Sequence, residues 1–153
     1  MVELIRNNKT IECISVTDLH AAKSLSLNNC VIETINLIGA FELNTSITIE
    51  NSIINNLLIH SCWFVNGLSV KNCIILNRVD YQMGGHNQKE INIVGNIFNN
   101  FFDCHFEKAV FVQKNIFVQG TNLLGNLDQS YFNTFENGII NTDNIGAINL
   151  NIT

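Results

Sequence analysis

Four side chains that can exchange protons near neutral or mildly acidic pH recur in the middle of this chain. They are His60, Asp80, Asp103 and His105, and steps of about 20 to 23 residues separate His60 from Asp80 and Asp80 from Asp103. If each step is one turn of a repeating structure, these groups stack on one face, where acid and base groups can cleave a glycosidic bond. The chain has one polar loop of about ten residues rather than the long insertions that build a deep cleft. A solvated or core-edge role is therefore the stronger interpretation, and no catalytic residue is assigned.

Other kinds of chemistry have no signature in the sequence. The four residues above show no ligand spacing on a single element, so no metal site is predicted. The chain contains no GxGxxG, P-loop, CxxC, HExxH or Gly-x-Ser-x-Gly motif, and no cofactor is predicted. Eight basic residues against thirteen acidic ones leave a net charge of −5. Nucleic acid is not an expected partner, because binding to phosphate needs a stripe of lysine or arginine.

The sequence also predicts where the protein works. No run of about 18 apolar residues exists, so no membrane-spanning helix and no membrane partner are expected. The opening stretch "MVELIRNNKTIEC" lacks the basic and apolar regions of a secretory signal. Five cysteines, an odd number, fit a reducing compartment better than a disulfide framework. We therefore expect a cytoplasmic protein.

The elements that would position these groups follow an unusual period. In "CHFEKAVFVQKNIFVQG", residues 104–120, an apolar side chain stands at every fifth position, at Phe106, Phe111 and Ile116. The spacing predicts that these three side chains turn toward a common axis. A helix would instead place apolar residues three and four apart.

A wider rule extends the five-residue spacing along the chain. Apolar residues stand at i and i+5, with a small or short polar residue at i+3. Eight segments obey it: Leu27–Ile32 with Cys30, Ile49–Ile54 with Ser52, Ile59–Phe64 with Cys62, Val70–Ile75 with Cys73, Ile93–Phe98 with Asn96, Phe101–Phe106 with Cys104, Val112–Phe117 with Asn115 and Phe135–Ile140 with Gly138.

The segments recur about every 10 or 11 residues, so pairs of them recur about every 21. Alternation such as Ile47-Thr48-Ile49 marks short strands within each unit. Coils of this length bury their apolar faces only by stacking on neighbouring coils. The predicted fold is an all-β, right-handed parallel β-helix, or β-solenoid, of about six coils of 20–23 residues.

At these positions the chain resembles the pentapeptide-repeat proteins and their right-handed β-helix relatives. In that family a large apolar residue at the centre of each repeat points inward, and a small residue two positions earlier packs beside it. Cys104 with Phe106 and Ala109 with Phe111 match this pattern, and the resemblance covers about residues 25 to 140. The favoured Ala-Asp/Asn-Leu core of the family is absent. The resemblance implies either a square coil or a more irregular β-helix.

One domain of 153 residues is expected, with three parts. Residues 1–24 are predicted to be an N-terminal cap, in which Thr17 is a candidate N-cap for a short helix. Residues 25–141 hold the repeats, with a loop inserted at 80–90 around Gly84-Gly85. Residues 142–153 are predicted to form a terminal strand or cap.

Asparagine and cysteine have predicted structural roles. The chain has 26 asparagines and only six lysines, so a codon bias that raises both does not explain the excess. Asn29, Asn51, Asn72 and Asn137 fall at corners, where asparagine tolerates a left-handed backbone. Cys30, Cys62, Cys73 and Cys104 occupy the small inward slot, and we expect them to be buried thiols. Cys13 has no predicted place.

The candidate partner surface is aromatic and weakly acidic. Trp63 and Phe102 should point outward beside inward Phe64 and Phe101, which would expose an apolar patch. Packing of both rings under the loop or a cap is an equally good interpretation. Asp80 and Asp103 lie one turn apart, and His86 lies in the predicted loop. Trp63, Phe102, Asp80, Asp103 and His86 are therefore the predicted partner-binding residues, although ordinary solvated surface also explains the acidic groups.

These observations favour a protein that binds another protein. A stiff solenoid without a cleft or a catalytic motif predicts a non-enzymatic scaffold, of the inhibitor or immunity type, that neutralises an enzyme or a toxin. A small glycan-binding or glycan-cleaving β-helix is the first alternative. The second is a self-assembling structural module, a homo-oligomer joined through a solenoid end, because the C-terminal stretch "IGAINLNIT" resembles an unpaired strand.

Overall fold

A computed structural model of the protein describes residues 1–59, 61–80, 87–100, 102–106, 110–125 and 139–152. These residues form short strands and one short helix. In chain order they are β1 (Val2–Asn7), β2 (Thr10–Ser15), α1 (Val16–Leu19), β3 (Ala22–Asn28), β4 (Val31–Asn36), β5 (Ser46–Glu50), β6 (Ile53–Leu58), β7 (Leu68–Lys71), β8 (Ile74–Asp80), β9 (Ile91–Val94), β10 (Ile97–Phe98), β11 (Phe102–Phe106), β12 (Val110–Gln113), β13 (Ile116–Phe117), β14 (Thr121–Gly125), β15 (Ile139–Thr142) and β16 (Ile148–Ile152).

The strands stack in three parallel sheets. Sheet A has seven strands in the order β1-β3-β5-β7-β9-β12-β15, sheet B has six in the order β2-β4-β6-β8-β10-β13, and sheet C has three in the order β11-β14-β16. Consecutive strands of the chain belong to different sheets, so the chain winds round an axis and returns to each sheet one level higher. The predicted parallel β-solenoid is confirmed, and the seven levels of sheet A are close to the predicted number of about six coils.

The core is a column of side chains that point into the coil. Inward residues of sheet A register with one another, as in Leu25 with Ile47 and Val70 with Ile93. Six of the eight predicted apolar pairs are fully described, and both members of each are buried: Leu27–Ile32, Ile49–Ile54, Ile59–Phe64, Val70–Ile75, Ile93–Phe98 and Val112–Phe117. The residue at i+3 is buried in all six. Stacking places these side chains about 4.8 Å apart along the axis, so each coil covers the apolar surface of the next.

The prediction from the every-fifth pattern of residues 104–120 was wrong at two of its three positions. Phe111 is only half-buried on the outer face of sheet A, and Ile116 is 38% exposed on the outer face of sheet B. The inward residues are their neighbours Val112 and Phe117. Side chains of a strand alternate between its faces, so a shift of one residue exchanges inside and outside while keeping the spacing of five. The side chain of Phe106 lies outside the described part.

The corner between sheets A and B has the same backbone conformation at every level. One residue there has a positive φ, between 51° and 72°: Asn8, Asn29, Asn51, Asn72, Gly95, Lys114 and Asp143. Asparagine and glycine enter this left-handed region at low cost, so the predicted corner role of Asn29, Asn51 and Asn72 is confirmed. Asn137 lies outside the described residues.

The repeat begins earlier than predicted. Residues 1–24, expected to cap the first coil, contain β1 and β2, which pair in parallel with β3 and β4. The helix α1 has one turn, and its N-cap is Ser15 rather than Thr17. The backbone N–H and the hydroxyl of Ser15 both donate to the Asp18 carboxylate at 2.7 Å. These hydrogen bonds from Ser15 lower the pKa of Asp18.

The predicted loop falls between two strands, whereas the predicted boundary between residues 141 and 142 lies inside β15. The loop expected at 80–90 lies between the end of β8 at Asp80 and the start of β9 at Ile91, and residues 81–86 are outside the described part. The C-terminal stretch contains β16, which pairs with β14. Within the described residues, no helix is long and apolar enough to cross a membrane.

Candidate functional site

An aromatic surface forms where two consecutive coils turn from sheet B back to sheet A. At these levels the third side of the coil is an irregular segment on each coil, within residues 37–45 and 61–67. Two backbone hydrogen bonds join the segments. The N–H of Trp63 donates to the carbonyl of Ala40 at 3.0 Å, and the N–H of Leu43 donates to the carbonyl of Trp63 at 2.9 Å. They fix Trp63 one level above Phe41.

Phe41 and Trp63 form an edge-to-face pair on the outside of the solenoid. Their ring centroids are 5.2 Å apart and the ring planes lie at 80°, a favoured geometry for aromatic pairs. Phe41 is 61% exposed, and Trp63 is half-buried. The outward direction predicted for Trp63 agrees with this arrangement, because its neighbour Phe64 is buried in the core. We call Phe41 and Trp63 the aromatic patch.

A shallow concavity opens beside Trp63. Its volume is about 450 Å³, and among the described residues it is lined by Glu42, Asn44, Trp63, Val65 and Gln88. Backbone geometry builds its rim, since Glu42 has a left-handed φ of 55° and its carbonyl accepts a hydrogen bond from the Asn44 side chain at 3.0 Å. On the next level the N–H of Gln88 donates to the carbonyl of Val65 at 3.0 Å. The concavity therefore combines one aromatic wall with amides and one carboxylate.

The electrostatic character of this surface follows from Glu42. It is the one charged residue among the described residues that line the concavity. A carboxylate beside exposed rings attracts a cationic group, which gains from the charge and from the face of an aromatic ring. The surface fits a lysine or arginine side chain flanked by apolar groups.

Most of the predicted site residues are described in backbone only, or not at all. His60 and His86 lie outside the described residues. Asp80 ends β8, while Phe102, Asp103 and His105 lie in β11, and the positions of their side chains are outside the described part. No group of three or more histidine, cysteine, aspartate or glutamate residues able to hold a metal ion occurs among the residues that the structure describes.

Sequence reasoning missed Phe41 and Glu42. Phe41 lies 22 residues before Trp63, close to one coil, and this spacing was the available signal. It went unused because Phe41 stands in an irregular turn after Gly39, without the alternation that identifies the strands.

The three buried cysteines of the described part contribute packing rather than chemistry. Cys30, Cys62 and Cys73 are free and buried, as predicted, and Cys13 is free and exposed. Burial raises the pKa of Cys62 to about 12 and the pKa of Cys73 to about 11. Both thiols are protonated at neutral pH, and a protonated thiol is a poor nucleophile and a poor metal ligand.

Comparisons with models of protein families, with curated proteins and with solved structures find no match to this chain. The character of the aromatic patch and its concavity therefore follows from their own residues. These are two aromatic rings, one carboxylate and three other lining side chains on a stiff parallel stack.

Proposed function

We propose that the protein is a non-enzymatic protein-binding scaffold, of the inhibitor or immunity type, that neutralises an enzyme or a toxin by contact through the aromatic patch. The observation that carries this proposal is the 61% exposure of Phe41 with the ring of Trp63 set edge-on against it. Large aromatic side chains dominate the energetics of protein interfaces, and a Phe exposed to this degree is stabilised when a partner covers it.

The stiffness of the solenoid supports the same proposal. Backbone hydrogen bonds and aromatic contact already hold both rings in place, so binding orders little of this chain. The concavity beside Trp63 accepts a side chain of the partner, and Glu42 favours a basic one. Phe102, Asp80, Asp103 and His86 remain part of the proposed contact region as the sequence predicts it.

The proposal includes a family likeness and a compartment. The five-residue spacing suggests kinship with the pentapeptide-repeat proteins, in which a stiff flank serves as a binding surface. Three sides per coil, the third of them irregular at the lower levels, suit the irregular β-helix version of that likeness better than the square one. Free cysteines support a reducing, cytoplasmic setting.

The test places a photo-crosslinking amino acid at position 41 and, as a control, at Thr48 on the outer face of sheet A. We expect the probe at position 41 to capture one stoichiometric protein in cells and the probe at position 48 to capture none. The captured protein is then purified and its affinity measured against wild-type chain and Phe41→Ala. Loss of one hot-spot aromatic weakens binding by about 30-fold. Equal capture at both positions, or unchanged affinity of Phe41→Ala, rejects the proposal.

The chemistry of the concavity favours a glycan as the second candidate ligand. An aromatic wall with a carboxylate and amides beside it is suited to a sugar ring, whose apolar face stacks while its hydroxyls donate and accept hydrogen bonds. Calorimetric titration with acidic and neutral oligosaccharides distinguishes this function. Saturable heat that Glu42→Gln changes would replace the protein-binding proposal with glycan binding. Release of reducing ends that His60→Ala and Asp103→Ala abolish would extend it to glycan cleavage.

A further inference from the structure

The outer face of sheet B carries a continuous column of β-branched apolar residues. We call it the isoleucine ladder, and its members are Val31, Ile53, Ile74, Ile97, Ile116 and Ile145. Each residue registers with the next member one level up, and the exposed fractions run from 37% to 64%. Leu76 and Val118, 40% and 58% exposed, widen the apolar surface beside it.

The backbone holds the ladder rigid. The N–H of Ile53 donates to the carbonyl of Cys30 one level below at 2.9 Å, and the same bond recurs from Ile74 to Ser52 and from Ile97 to Cys73 at 2.9 Å. Its members therefore repeat at the strand spacing of about 4.8 Å, and six of them extend over about 24 Å. The inward neighbours Ile54, Ile75 and Phe98 are buried, which fixes the outward direction of the ladder residues.

Strand propensity alone does not explain this column. Sheet A offers a comparison within the same solenoid, because its outer face also carries a registered column over many levels. That column is polar in four consecutive strands, at Ser26, Thr48, Ser69 and Asn92. Outward positions of this fold are therefore stable with short polar side chains. Sheet A has outward apolar residues at the ends of this run, at Ile5 and Phe111, but its middle is polar, whereas the isoleucine ladder of sheet B is apolar throughout.

The middle of the ladder is free of charge among the described side chains. On the corner side, Asn51, Asn72 and Gly95 flank it, and on the other side Asn55, Leu76 and Asn99 do so. The chain has a net charge of −5, so two copies repel each other at long range. Glu33, beside Val31 at the lower end of the ladder, adds to this repulsion, whereas the middle of the ladder adds none. A partner that relies on charge gains little from it.

The geometry points to a second copy of this chain as the occupant: we propose that two copies pack sheet B against sheet B, ladder on ladder, about a two-fold axis. A partner that fills the spaces between six side chains must itself repeat about every 4.8 Å, and another stack of this solenoid does. A helix repeats every 5.4 Å along its axis and drifts by about 3 Å over the same length. A two-fold axis also lets one surface serve as its own complement.

The size of the surface sets the expected strength. A ladder of about 24 Å with one neighbouring column on each side, about 20 Å wide in all, covers about 500 Å² per partner, which is the size of a weak, reversible interface. We therefore expect a dimer that dissociates in the micromolar range. Added salt should strengthen it, because salt screens the repulsion between two acidic chains and leaves the apolar contact intact.

The test measures sedimentation of the full chain from about 1 µM to about 500 µM, a range that spans micromolar dissociation. We expect a monomer–dimer equilibrium for the wild type and a dissociation constant at least about 30-fold higher for the double variant Ile74→Lys/Ile97→Lys, because two buried charges oppose contact. The control is Ile5→Lys, whose parent side chain is 55% exposed on the outer face of sheet A. It should dimerise as the wild type does.

Two further variants keep the result decisive. If the lysine variant loses its β-type circular dichroism, Ile74→Asn/Ile97→Asn replaces it, since Asn55 and Asn99 already occupy outward positions of this sheet. Phe41→Ala separates the dimer from the proposed partner contact and should leave the dimer unchanged. A wild type that stays monomeric at every concentration overturns the inference. So does a dimer that survives both ladder variants or disappears in Phe41→Ala.

Discussion

The corner between sheets A and B is built in two ways along the same solenoid. In the lower half an asparagine takes the left-handed position and a small residue follows it inside the core. In the upper half the asparagine itself stands inside. The lower pairs are Asn29-Cys30, Asn51-Ser52 and Asn72-Cys73, and the upper pairs are Gly95-Asn96, Lys114-Asn115 and Asp143-Asn144.

The two arrangements place the asparagine amides in different surroundings. In the lower half they are exposed: Asn29 Nδ2 donates to Asn8 Oδ1 at 2.6 Å, and Asn51 Nδ2 donates to Asn28 Oδ1 at 2.8 Å. In the upper half Asn96 and Asn115 are fully buried. The backbone N–H of Asn96 donates to Asn115 Oδ1 at 2.9 Å, and Asn115 Nδ2 donates to the backbone carbonyl of Ile93 at 2.8 Å.

The difference shows which requirement the corner must meet. A backbone N–H points into the core at each level and needs an acceptor from the level above. Ser52 Oγ supplies it to Cys30 at 3.0 Å, and Asn96 Oδ1 supplies it to Cys73 at 2.8 Å. The residue type changes along the column, but these buried N–H groups remain paired, since an unpaired one costs about 1–3 kcal/mol.

The largest expected effect comes from removing a buried asparagine. Asn115→Ala leaves the N–H of Asn96 and the carbonyl of Ile93 without this partner and opens a cavity. We expect the free energy of unfolding to fall by about 3 kcal/mol, measured by urea denaturation. The matched change in the lower half, Asn51→Ala, removes an exposed amide and leaves alanine at a left-handed φ of 51°. It should lower the free energy of unfolding by about 1 kcal/mol.

A hydroxyl should restore part of the buried bonding. Asn96→Ser keeps a side-chain acceptor for the N–H of Cys73, as Ser52 two coils lower provides one for the N–H of Cys30. Asn96→Ala does not. The serine variant should therefore be more stable than the alanine variant by about 1 kcal/mol. Equal losses for Asn51→Ala and Asn115→Ala would show that the two halves do not differ in the way argued here.

The second-largest effect is expected at Gly95, where the two halves meet. Gly95 lies at φ +72°, and a β-carbon there would overlap the side-chain oxygen of Asn72. Gly95→Ala should lower the free energy of unfolding by about 2 kcal/mol, through backbone strain and this overlap. Adding Asn72→Gly relieves the overlap and should recover part of the loss, as chemical denaturation of the double variant will show. If the double variant is no more stable than Gly95→Ala, the overlap is not the cause.

Much of the fold could be predicted from the sequence, because apolar pairs such as Ile49–Ile54 repeat where inward residues must be. Where two apolar residues are adjacent, the spacing does not show which of them points into the core. Ile116 and Phe117 both satisfy a spacing of five, and only packing shows that Phe117 is inside. The isoleucine ladder was overlooked for the same reason, since each member directly precedes an inward residue.

The candidate site could be predicted only in part. The outward direction of Trp63 follows from alternation with Phe64, but its pairing with Phe41 depends on how the coils register. The length of a coil varies along the chain, from 19 residues between Ile91 and Val110 to 29 between Val110 and Ile139. A constant period therefore does not identify which residues become neighbours across levels.

Alkaline pH should weaken the lower half through its buried thiols. Burial raises the pKa of Cys62 from 9.0 to about 12 and the pKa of Cys73 from 9.0 to about 11. The unfolded chain ionises these thiols at lower pH than the folded chain does, so their stabilising contribution is complete below pH 9 and falls as the pH rises toward 11. The contribution of each thiol to the free energy of unfolding should fall by about 1 kcal/mol between pH 9 and pH 10.

Unfolding measured at pH 8, 9 and 10 tests this expectation. Cys62→Ala/Cys73→Ala should flatten the pH dependence, whereas Asn115→Ala, in the half whose inward slot is an amide, should keep the wild-type slope. If the free energy of unfolding of the double cysteine variant falls with pH as steeply as that of the wild type, other groups cause the loss of stability at alkaline pH.

The smallest expected effect is a stabilisation at the corner of the upper half. Lys114 holds a φ of 57°, a conformation that favours glycine or asparagine, and its side chain is exposed. Lys114→Gly should raise the free energy of unfolding by up to about 1 kcal/mol, because relief of left-handed strain exceeds the entropy that glycine adds to the unfolded chain. Lys114→Asn should stabilise as well, since asparagine already serves at Asn51 and Asn72.

Thermal unfolding of both variants is compared with that of Lys114→Ala, which keeps the left-handed strain. The comparison separates relief of backbone strain from loss of the lysine charge. A gain in Lys114→Ala equal to that in Lys114→Gly would point to the charge, and the corner would then tolerate any residue.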